Sequence, residues 1–146
     1  ETPVPPYDAI SWEQTRELAA NGFAIGSHTM NHRVTGTLHD PDVKRFEING
    51  SRERLEAMLH RPVHHFSFPN GGIGDFSHTD IELVKQAGYS SAVTTLIGML
   101  DDEADCFQLP RINAGADMDL SFFKMRLAGL FQYTHATNIP VRVSGD

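Results

Sequence analysis

Three short apolar runs, kept apart by stretches with their own helix signals, restrict what this chain can fold into. The runs are "FAIGS" at 23–27, "VHHFSF" at 63–68 and "YSSAVTT" at 89–95. A helix precedes them. Ser11 and Gln14 in "SWEQ" have capping-box spacing, and Asn21-Gly22 stops the helix near Ala20. A second helix follows Asp40 as N-cap and Pro41 at the first position, with an inward stripe of Val43, Phe46, Leu55, Met58 and Leu59. Gly50 interrupts it at a cost of up to ~1 kcal/mol against Ala. A third helix lies in "SHTDIELVKQAG". There Thr79 and Glu82 can form another capping box, Ile81, Val84 and Ala87 face inward, and Gly88 terminates.

Strands separated by helices pair in parallel through right-handed crossovers, so the expected fold class is α/β with parallel strands. "FQLPRI" adds a short strand interrupted by Pro110, and "DMDLSFFKMRLAGLF" a last helix. "ETPVPPYDA" is an extended lead-in, "LIGMLDDEADC" a solvated acidic loop, and "NIPVRVSGD" a strand or a loose tail. The pattern opens on a helix where such folds open on a strand. Residues 1–146 are therefore expected to be the later part of one longer α/β domain.

Composition narrows the partners. With 12 basic and 19 acidic residues the net charge is -7, which repels a phosphate backbone and argues against nucleic acid. A neutral sugar meets no such barrier. No apolar run approaches a membrane span, and no signal peptide is visible. The chain starts at Glu1, which suggests a processing or expression boundary and leaves the compartment unassigned: cytoplasm, periplasm and exterior all fit. One cysteine, Cys106, excludes an internal disulfide and a cysteine-based zinc site.

Of the eight histidines, His28 and His32 stand apart. If residues 28–32 form a helical turn, a spacing of four puts both imidazoles on one face, as two nitrogen ligands of a tetrahedral zinc require. They also follow a parallel strand, where the sites of α/β barrels collect. The zinc-peptidase pattern H-E-x-x-H does not fit, because Thr29 stands where its glutamate base belongs. The longer metzincin pattern fails as well, with Thr35 and Leu38 at its Gly and His positions. Two further features qualify. "FSFPNGGIG" ends a strand in a turn whose backbone N–H groups can face an oxyanion. Arg111 in "LPRI" can hold a carboxylate bidentately.

Together these segments resemble the polysaccharide deacetylase family, the NodB-homology domains of carbohydrate esterase family 4. "SWEQTRELAANGFAIGSHTMNH" is similar to the family's helix, strand and H-[ST]-x-x-H motif. "FSFPNGG" stands where the third motif is expected, and "AGYSSAVTT" with "LPRI" resembles exopolysaccharide-type members. The resemblance implies a distorted (β/α) barrel, here partial and without its N-terminal strands. It also implies metal-dependent removal of N- or O-acetyl groups from an oligo- or polysaccharide. On this basis His28 and His32 are two ligands of a divalent metal, zinc first among candidates. Thr29 braces them by hydrogen bonding, and Pro69, Asn70 and Gly71 line the acetyl pocket, with a backbone N–H near Asn70 on the oxyanion. Arg111 completes the binding set.

Departures from the pattern are equally informative. The T-F-D-D motif, which supplies the third ligand and the base, is absent; Asp101 and Asp102 lie in a loop in the wrong half, so it is expected upstream of Glu1. Asn70 replaces the usual tyrosine of the third motif. The late histidine that acts as acid has one weak candidate, His135. The fragment is then a weak metal binder, with its own competence and its self-association left open. Two alternatives remain at this stage: a small-amide hydrolase of the same fold, allantoinase-like, and a non-catalytic carbohydrate-binding relative.

Overall fold

Helix signals place the helices. In the computed structural model, which describes residues 9–100, 104–116 and 118–130, α1 spans Trp12–Ala20 behind a complete Ser11–Gln14 capping box. It closes in a Schellman motif: Gly22 N–H donates to the Ala19 carbonyl and Phe23 N–H to the Leu18 carbonyl, with Gly22 at φ 87°. α2, Pro41–Arg45, follows an Asp40 cap that accepts from the Asp42 N–H. A π-helical turn, Phe46–Gly50, joins it to α3, Ser51–Leu59. β1 is His65–Ser67, α4 is His78–Gln86, β2 is Ser91–Val93 and α5 is Leu120–Leu127.

β1 and β2 pair in parallel, with Phe66 opposite Ala92. Single parallel bridges extend the pair on both sides, Ser27 to Phe66 and Val93 to Leu109. Four segments thus run the same way in chain order, with helices in the first two crossovers, as the alternation of elements predicts. One apolar core fills the space beneath them: Ile48, Val63, Phe66, Phe68, Phe76, Ile81, Val84, Tyr89 and Ala92. Phe68 stacks on Phe76 at 4.4 Å between centroids and meets Phe66 edge-on at 5.1 Å. The Tyr89 hydroxyl donates to the Ile48 carbonyl at 3.0 Å, and burial pushes its pKa up to about 12. No helix among the described residues is long and apolar enough to cross a membrane.

Several elements differ from expectation. "FAIGS" is not a buried strand: only Ser27 joins the ladder, and Phe23 is 59% exposed. The Phe23 N–H is committed to closing α1, so pairing starts only beyond it. In the second helix Phe46 points outward, while Glu47 and Ile48 are buried. The inward row steps by four through Leu59, Leu55, Ser51 and Glu47, which drifts by about 40° per step on an α-helix. The wider π turn offsets that drift.

The α4 capping box is Ser77 with Asp80, not Thr79 with Glu82. Asp80 is fully buried and also receives Lys44 Nζ at 2.7 Å, tying α4 to α2. In "FQLPRI" only Leu109 pairs, because Pro110 has no N–H to continue the ladder. α5 forms as expected behind an Asp119 cap, but none of its residues is buried. Most of the lead-in (1–8), Asp101, Asp102, His135 and the tail lie outside the described residues.

Candidate metal and substrate site

Parallel strands deliver their C-terminal ends to one edge, and the candidate residues gather there. His28 follows Ser27, Pro69–Gly71 follows β1, and Arg111 follows Leu109. Ser27 is locked into the sheet by two backbone bonds of 2.8 Å, from its N–H to the His65 carbonyl and from the Ser67 N–H to its own carbonyl.

His28 Nδ1 lies 2.7 Å from the Ser67 carbonyl oxygen. A carbonyl only accepts, so Nδ1 carries the proton and the lone pair of a neutral imidazole sits on Nε2. Metal-binding histidines are typically oriented by this kind of bond. The His32 ring stands edge-on to His28, 4.8 Å between centroids and 74° between planes. Two imidazoles on one tetrahedral ion have centroids about 5 Å apart, given Zn–N bonds near 2 Å. Both residues are exposed.

The expected helical turn is absent. Residues 28–32 are a loop in which Thr29 (φ 65°) and His32 (φ 56°) both adopt left-handed backbone. That conformation is an outlier for β-branched Thr29 and marks strain held by the surroundings. The loop curls back on itself, so the spacing of four still brings the rings together by a different route. Thr29 is buried, yet its Oγ1 has no hydrogen-bond partner among the described residues. The bracing bond expected of it is therefore not made to any of them.

Glu47 holds the loop instead. It is 1% exposed, and its carboxylate accepts from the Asn31 N–H and from Asn31 Nδ2, each at 2.8 Å. Its carbonyl accepts from the Met30 N–H at 3.0 Å. One helical turn on, Ser51 Oγ meets Ser27 Oγ at 2.5 Å in the buried interior. Sequence reasoning passed over Glu47, Ser51 and Asn31. The available signal was an acidic residue flanked by apolar ones, three places before a mid-helix glycine.

The turn after β1 is shaped as expected. Asn70 (φ 56°) and Gly71 (φ 73°) are both left-handed, and Gly71 N–H donates to the Pro69 carbonyl at 2.7 Å. A Cβ on Gly71 would lie 3.0 Å from both the Phe68 carbonyl oxygen and the Thr95 nitrogen, so glycine is required. Thr95 pins the turn by donating from Oγ1 to the Asn70 carbonyl at 2.6 Å and from N–H to the Gly71 carbonyl at 2.9 Å. The Asn70 N–H donates to no group among the described residues and is free for a ligand oxygen. Arg111 Nε donates to the Thr94 carbonyl, and Arg111 forms no ion pair among the described residues. It braces the loop after β2.

Known proteins give this arrangement a family. Residues 4–92 match the family model described as polysaccharide deacetylase. The chain is 27% identical over 114 residues to YxkH of Bacillus subtilis (strain 168), a protein named for the same family. That match covers 78% of this chain but 39% of YxkH. Among solved structures, the fold is similar to the Streptococcus pyogenes deacetylase PplD in complex with acetate, with TM-score 0.72 and 22% identity over 80% of this chain and 50% of that one. It is also similar to BC0361, a polysaccharide deacetylase from Bacillus cereus, with TM-score 0.72 and 21% identity over 85% and 38% of the two chains. The chain belongs to the polysaccharide deacetylase family. It spans half or less of the length of these relatives.

A divalent metal is implied by that family, and the residues present fit it in part. The free Nε2 of His28, its orientation by Ser67, and the neighbouring His32 ring suit two positions of a tetrahedral ion. No third His, Cys, Asp or Glu joins them among the described residues.

Proposed function

We propose that this chain carries part of the site of a deacetylase acting on an acetylated oligo- or polysaccharide. His28 and His32 are its histidine ligands for a divalent cation, with zinc the first candidate. The single observation that supports this reading is the His28 Nδ1–Ser67 carbonyl bond, which leaves Nε2 free beside a second imidazole. A cation held there would supply Lewis-acid polarisation of the acyl carbonyl.

The chain's own residues do the rest. His28 and His32 hold the cation at the strand ends. The Asn70 N–H offers a donor to the oxygen that becomes negative as the acetyl carbon turns tetrahedral. Gly71 allows the backbone to approach that position, and Thr95 keeps the turn from opening. Asn70 presents a short polar side chain at the mouth of the site, which favours a narrow set of sugar contacts.

Zinc titration of the 146-residue chain tests the metal assignment. Two ligands leave an open zinc site incompletely held, so weak binding is expected, and His28→Ala should abolish it. Equal zinc binding by wild type and His28→Ala would remove the basis of the proposal. Acetate release from chitooligosaccharide by the whole protein, against small cyclic amides, tests the substrate. Turnover of the amides alone would assign the site to amide hydrolysis.

A further inference from the structure

Each histidine of the pair is preceded by a residue that the second helix grips. Ser27, before His28, is held by Ser51; Asn31, before His32, is held by Glu47. Glu47 and Ser51 are four residues apart on one inward face across the π-helical turn. We infer that Glu47, together with Ser51, is a positioning clamp that sets the separation and orientation of His28 and His32. The inference rests on the metal-site reading only for its purpose; the clamp itself is a matter of geometry.

Three observations support it. First, Glu47 has no other evident task. It is buried at 1% exposure and faces no cation among the described salt bridges, and both its oxygens accept from Asn31. A buried carboxylate is costly unless its acceptors are filled, and here the loop fills them. Second, the loop needs holding. Thr29 and His32 are both left-handed, a conformation that persists only when its surroundings enforce it. Third, the π turn is anchored to the core, because the Ile48 carbonyl takes the buried Tyr89 hydroxyl. Such turns recur at functional sites. A helix tied to the core through Tyr89 thus grips both ends of the histidine loop.

Donor and acceptor roles make the clamp testable by exchange. Asn31→Asp sets a carboxylate against the Glu47 carboxylate. Glu47→Gln, in contrast, keeps two bonds once the Asn31 amide turns over, because Gln donates from Nε2 and accepts at Oε1. The double variant Asn31→Asp/Glu47→Gln restores the pair with the roles reversed. The readout is the imidazole resonances of His28 and His32 in the 146-residue chain, first without metal and then during titration with zinc ion.

Asn31→Asp should shift both rings and weaken zinc binding by about 10-fold or more, the usual loss when an outer partner of a ligand is removed. Glu47→Gln and the double variant should keep wild-type ring resonances and stay within about threefold of its zinc affinity. A double variant no better than Asn31→Asp alone overturns the clamp. So does a folded Glu47→Leu with wild-type rings and affinity. A purely stabilising role would lower the melting temperature and leave the ring resonances unmoved well below the transition, which also overturns it. If wild-type rings do not respond to zinc, the metal reading fails, and the clamp is judged on the metal-free resonances alone.

Discussion

The segment from Leu96 to Leu130 is richer in apolar residues than the segment from Ser27 to Thr95, yet none of its described residues is buried. In the earlier segment, Phe66, Phe68, Ile48, Ile81 and Val84 are all at or below 2% exposure, because helices in the crossovers cover one face of the parallel segments. In the later one, Ile97, Leu100, Leu120, Leu127 and Leu130 are 48–69% exposed, and α5 contributes nothing to the core. Apolar content and a well-capped helix are thus not enough to make a core. The earlier segment has strand ladders that fix which face is inside; the later has one bridge, at Leu109. The candidate site sits on the earlier segment, whose rigidity can hold strained backbone at Thr29, His32 and Asn70.

The comparison is broken most directly by truncating one large side chain on each side. Phe68→Ala removes a fully buried ring stacked on Phe76 and should cost about 3–5 kcal/mol, read from denaturant or thermal unfolding. A loss under about 1 kcal/mol would mean that the core is not where the burial places it. Next is alkaline pH. The Tyr89 pKa is raised by burial from 10.0 to about 12, so its neutral form belongs to the folded state. Its contribution is present below pH 10 and is lost as pH rises toward 12, about 3 kcal/mol in all. Tyr89→Phe should flatten the stability profile over that interval. The smallest effect is expected at Leu127→Ser, within about 0.5 kcal/mol, since Leu127 is 48% exposed. A large loss there would show the late segment to be packed more firmly than its exposure implies.

Legibility in the sequence followed the range of the interactions. Caps depend on residues three apart, and Ser11–Gln14 and Asp40 were readable from the chain, although the α4 box was assigned two residues late. Parallel order followed from alternation of elements. Strand extent did not, because the Phe23 N–H closes α1 and Pro110 removes a donor, and each effect is settled by a neighbour in space. The histidine pair was visible as a spacing, but the helical turn that would have explained it is not there. Glu47 was invisible because an acidic residue in a helix is ordinarily solvated; only the π turn brings it inside beside Asn31. Arg111 Nε is tied to the Thr94 carbonyl, a contact between distant residues that the sequence did not show.

The Ser67 carbonyl that fixes the His28 proton belongs to the main chain of β1. No single substitution deletes a backbone oxygen, and a change of residue at position 67 leaves the acceptor in place. The imidazole's proton arrangement is therefore insulated from substitution at position 67 for as long as Ser27 keeps its bridge to β1. Side-chain changes elsewhere around the site leave that hydrogen bond untouched. On the proposed function, contacts to substrate could then change without first rebuilding the imidazole arrangement.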